Sequence, residues 1–109
     1  QMLEDQSTIE KASKLITELS GQKDAQSQNQ LARWVATKES HASAVQNTIA
    51  DYFMAQRIKS SDSKYEDKLT KAHAVIVAAM KCKQSVDAKN ASSLKEAILS
   101  FHKAYEKKK

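Results

Sequence analysis

No proline occurs anywhere in the chain, and its 109 residues include a single glycine, Gly21. That absence constrains the fold more than any motif does. Sheets need tight turns, and tight turns draw on Gly, Pro, Asn or Asp. Ala, Lys, Gln, Ser and Glu fill the sequence instead, and most of these are acceptable or strong helix formers. The sequence therefore predicts an all-α fold, and the length fits one domain over residues 1–109. No apolar run approaches the ~20 residues of a membrane span. The longest, from Ala72 to Met80, is interrupted by His73.

Periodicity divides the chain into four amphipathic segments. Leu3, Ile9, Ala12, Leu15, Ile16 and Leu19 form one stripe at helical spacing, predicting a first helix over about residues 3–19. Ser20-Gly21 should end it, Gly21 taking the left-handed position. Leu31, Trp34, Val35, Ala42, Val45, Ile49, Tyr52 and Phe53 predict a second helix over about 27–58. Lys38-Glu39-Ser40-His41 interrupts its stripe. Nothing there breaks a helix, so one long element is expected, with a kink near Ser40 left open. Ser60-Ser61-Asp62-Ser63 reads as a loop, and Ser63 with Glu66 has capping-box spacing. Tyr65, Leu69, Ala72, Ile76 and Ala79 give a heptad-like seam for a third helix reaching about residue 88. Asn90-Ala91-Ser92 should be the next turn, with Ser93 and Glu96 as a second capping box. The fourth helix carries Leu94, Ala97, Ile98, Phe101 and Tyr105, then frays into Lys107-Lys108-Lys109. Four such helices with short connections predict an antiparallel up-down four-helix bundle.

The expected lengths are unequal. The first and fourth helices come to about 25 and 22 Å at ~1.5 Å per residue, against roughly 45 and 37 Å for the second and third. The tip of the long hairpin, around residues 60–63, would then lack a covering helix. Val45, Ile49, Tyr52, Phe53, Tyr65 and Leu69 lie there, and an apolar patch of that kind marks an interface. The expected partner is a second copy, giving a homodimer, or another protein.

No chemistry-bearing motif accompanies this scaffold. With one glycine there is no Gly-rich phosphate loop, and no HExxH or CxxC pattern occurs. His41, His73 and His102 fall in three different predicted helices, none with a second ligand one turn away. Cys82 is the only cysteine. It lies between Lys81 and Lys83, which leaves a plain buried thiol and an activated one both open. Residues 1–63 hold seven Lys/Arg against eight Asp/Glu, whereas residues 64–109 hold eleven Lys against five. That excess reads first as a solvated lysine-rich surface, with attraction of an anionic partner as the alternative. Having only Arg33 and Arg57 argues against nucleic-acid readout. These residues point to a non-enzymatic interaction or assembly module, with no metal and no cofactor.

Phe101-His102-Lys103-Ala104-Tyr105, the stretch from His73 to Lys95-Glu96-Ala97, and Leu3-Glu4-Asp5 resemble the small periplasmic four-helix b-type cytochromes. The resemblance implies a four-helix bundle, a periplasmic or secreted address, and His102 as an axial ligand to haem b. It departs from that family at Ser7, which stands where the methionine ligand is expected. The resulting alternative is a cytochrome-like bundle that binds haem or has lost it. A third is a basic protein for DNA or acidic membrane.

Overall fold

The computed structural model describes residues 1–106, and among them there is no strand. Four helices follow one another: α1 (Met2–Leu19), α2 (Ala25–Asn47), α3 (Tyr65–Gln84) and α4 (Ala88–Glu106). α2 passes Ser40 unbroken and continues as a π-helix, Thr48–Arg57. α1 packs on α2 and α4, and α3 packs on α4 and α2. The architecture is the expected all-α four-helix bundle. No described helix is long and apolar enough to cross a membrane. The expected fraying at Lys107–Lys109 lies outside the described residues.

The helix ends differ from the expectation in instructive ways. Gly21 does not take a left-handed conformation. α1 closes on its own carbonyls, Ser20 N–H donating to Ile16 O at 2.9 Å and Gln22 N–H to Leu19 O at 3.0 Å. Asp24 caps α2, its carboxylate accepting from Ser27 N–H at 3.0 Å. At the start of α3 the acceptor is Asp62, which takes the Lys64 N–H at 2.7 Å and pairs with Lys68 at 2.6 Å. The Ser63–Glu66 spacing goes unused as a cap. Residues 90–92 are not a turn but lie inside α4. The turn is at 85–87, where Asp87 Oδ1 accepts from Lys89 N–H at 2.9 Å. In both cases a carboxylate, the stronger acceptor, takes the capping role that spacing assigned to a serine.

Ile9, Val45, Ile49, Val75, Leu94, Ile98 and Phe101 are the large fully buried apolar side chains, with Ala42, Ala72, Ala79 and Ala91 between them. Burying each large one contributes about 1.5–3 kcal/mol. Small residues at facing positions let the backbones approach. Lys38 closes one end of this core. It is 3% exposed, and its ammonium donates to the carbonyls of Cys82, Lys83 (3.1 Å) and Ser85 (3.3 Å). Those oxygens belong to the last turn of α3 and the residue after it, which have no intrahelical partner and sit at the negative end of the helix dipole.

Lys38 also marks where α3 ends against α2. Residues 25–37 of α2 run on beyond it, about 20 Å at ~1.5 Å per residue, paired with α1. Val35 is 39% exposed there, and Trp34 is half-buried under the Lys11 ammonium at 5.7 Å. The molecule is accordingly elongated, 56 × 21 × 19 Å. The overhang thus belongs to the α1–α2 hairpin. The α2–α3 tip, expected to be uncovered, is covered, because α4 runs to Glu106 and brings Phe101 and Tyr105 against Phe53 at 4.8 and 4.9 Å.

Candidate functional site

The π-helix decides what the covered tip presents. Ile58 N–H donates to Phe53 O at 2.7 Å, an i→i+5 bond. The inward face steps from Ile49 to Phe53 and, across this wider turn, on to Ile58, while Tyr52 and Met54 face outward. Arg57 then fixes the outer layer. Its Nε donates to Tyr105 Oη at 3.1 Å, and its guanidinium lies 5.3 Å from the centre of the Tyr52 ring. The Lys68 ammonium faces the Tyr105 ring at 5.3 Å.

Beside these rings an open groove of about 550 Å³ runs between the start of α1, the π-helix and α4. Gln1, Met2, Asp51, Tyr52, Phe53 and His102 line it, with Asn47 and Thr48. It gathers an imidazole, a carboxylate and a phenol around an apolar floor, the usual make-up of a small-molecule site. Periodicity alone misses Asp51 and Met2 as members, because the groove is built from three elements distant in sequence.

The residues expected to form an interface are divided by the fold. Val45 and Ile49 are fully buried within the chain and have no surface left to offer. Phe53, Tyr65 and Leu69 are half-buried, and Tyr52 is 45% exposed. The histidines stay apart. His41 Nδ1 lies 2.7 Å from Asp5 Oδ1, joining α2 to α1. His73 is on the surface of α3, in a second groove with Val77, Lys81 and Ser93. His102 is at the first groove. Cys82 is buried at the other end of the bundle, its thiol donating to Asn90 O at 3.4 Å. Burial pushes the Cys82 thiol above its ordinary value, against the opposing pull of the Lys38 charge. Enclosed and hydrogen-bonded in this way, Cys82 matches the plain buried thiol of the two sequence readings.

Compared with known proteins, the chain matches the family model described as nickel-containing superoxide dismutase, over residues 1–109. The chain belongs to the nickel-containing superoxide dismutase family. No curated protein and no solved structure matches it.

Membership in this family corrects several expectations. The cytochrome resemblance is overturned, since the match covers the whole chain and names a different family. Haem b and His102 as its ligand fall with it, and the cofactor the family implies is nickel rather than none. The reading as a non-enzymatic module, and that as a DNA- or membrane-binding basic protein, give way to an enzyme family. The physical reason for the error is plain: helical stripes and capping residues report a bundle, and many unrelated chemistries use bundles.

The residues present do not fit nickel. Imidazole nitrogen suits this ion, and a centre needs several donors converging on one point. Among the described residues no three His, Cys, Asp or Glu side chains are grouped to hold a metal. The single thiol is enclosed in the core and hydrogen-bonded.

Proposed function

We propose that this protein serves as the helical body of a nickel-dependent superoxide dismutase, which turns two superoxide anions and two protons into dioxygen and hydrogen peroxide. The observation that carries this reading is the family match over every residue of the chain. Two features support it. The four helices close around one continuous core, a scaffold of the kind on which a functional centre can be held in place. The net charge of +5 suits an anionic substrate. The test is elemental and functional together: protein purified from its native source should contain nickel and accelerate superoxide decay. Native protein without nickel and without that activity would overturn the reading.

The expectation of a second chain at the hairpin tip is now confined to its outer rim, Tyr52 with the edges of Phe53, Tyr65 and Leu69. We keep it as a proposal, tested by sedimentation of Tyr52→Lys. A fall in mass from the wild-type value supports contact between copies, and an unchanged mass rejects it.

A further inference from the structure

We infer that the side chains of this bundle do not hold nickel, and that the bundle folds without the metal. This rests on the nickel reading above and concerns where that reading places its chemistry.

The donor inventory is short: one thiol and three imidazoles. Their positions along the bundle keep them from sharing an ion. Cys82 and His73 lie on the same helix nine residues apart, about 13 Å at ~1.5 Å per residue. Asn90, whose carbonyl accepts from Cys82, precedes His102 by twelve residues of α4, about 18 Å. Metal–ligand bonds of about 2 Å cannot bridge such gaps. His41 is the histidine nearest to Lys38 in sequence, and it is already engaged with Asp5.

The core points the same way. A resident metal leaves a mark on a fold even when the ion is not drawn: buried donors aimed at a common point with no other partner. Among the described residues no buried side-chain nitrogen or oxygen lacks a hydrogen-bond partner. The interior between the helices is hydrocarbon, and Lys38 and Gln6 satisfy the carbonyls at its end, Gln6 Nε2 donating to Ala91 O at 2.9 Å. Where a metal organises a small domain, metal binding and folding are one equilibrium. Here a contiguous apolar core joins all four helices with no metal site within it among the described residues.

The test uses the 109-residue chain and Ni²⁺. The chain is incubated with excess nickel and desalted. Retained metal is counted by mass spectrometry, and thermal melts are followed by circular dichroism with and without the ion. We expect a fully helical chain in the absence of metal, no stoichiometric nickel after desalting, and the same Tm in both melts. A site saturated a hundredfold above its Kd would raise Tm by several degrees. One equivalent of nickel retained by the wild type and lost in Cys82→Ser or His102→Ala would overturn the inference, as would a chain that is unfolded until nickel is added. Either result would leave the nickel reading standing. Native protein free of nickel would remove that reading instead, and leave the metal-independence of the bundle intact.

Discussion

Lys38 sits in what the sequence presents as a polar interruption of a helical stripe, yet in the fold it is one of the most enclosed side chains. Its ammonium holds three carbonyls that α3 and the following turn leave open. Lys38→Met keeps the aliphatic stem and removes the donors. Leaving buried acceptors unsatisfied costs about 1–3 kcal/mol, so the variant should lose about 2 kcal/mol, read as a lower urea midpoint at unchanged m. Cys82, beside the same cap, gives a pH-dependent counterpart. Burial favours its neutral form in the folded chain, while the unfolded thiol ionises near its ordinary value of 9.0. Above that pH the unfolded state binds fewer protons than the folded one, so stability falls as pH rises. The contribution is complete below pH 9 and lost toward the higher folded value. Urea midpoints at pH 8 and pH 10 should drop more for the wild type than for Cys82→Ala; equal drops would show that the thiol is not protected.

At the scale of elements, the neighbouring aromatic residues Tyr52 and Phe53 of the π-helix face different ways. Phe53 makes edge contacts with Phe101 and Tyr105, while Tyr52 stands half outside under Arg57. Phe53→Ala should cost about 3 kcal/mol, the low end for a core phenylalanine because the ring is only partly enclosed. Tyr52→Ala should cost under about 1 kcal/mol, a surface change plus one cation–π contact. Urea unfolding of the two variants decides the register. If Tyr52→Ala were the more damaging, Tyr52 rather than Phe53 would be the ring that faces the core.

For the whole molecule, charge and shape matter together. Residues 64–109 hold eleven Lys against five Asp/Glu, on a chain of net charge +5. A positive surface raises the encounter rate of a small anion, and salt screens it, with a Debye length of about 10 Å at 0.1 M. Superoxide decay catalysed by the native protein should therefore slow as ionic strength rises from 0.01 to about 0.2 M at constant pH. A rate indifferent to salt would show that the basic surface plays no part in capture.

The sequence by itself determined the all-helical fold, the number of helices and most of the inward stripe, because helix formation depends on local spacing and on the near absence of Gly and Pro. Phe101, Ile98, Leu94 and Ile9 were legible for that reason. The tertiary structure alone decided which acceptor caps each helix, since Asp62 and Asp87 win over Ser63 and Ser93 only once the turns have their shape. It alone buried Lys38, whose partners lie more than forty residues away in sequence. It moved the overhang from the α2–α3 tip to the α1–α2 hairpin, because helix ends fix where neighbours stop and a spacing argument misplaces ends by several residues. The groove at Met2, Asp51, Tyr52 and His102 joins three elements and leaves no local pattern to read. That no three His, Cys, Asp or Glu side chains among the described residues are grouped to hold a metal is likewise a property of the packed bundle, since the residues themselves are all present in the sequence.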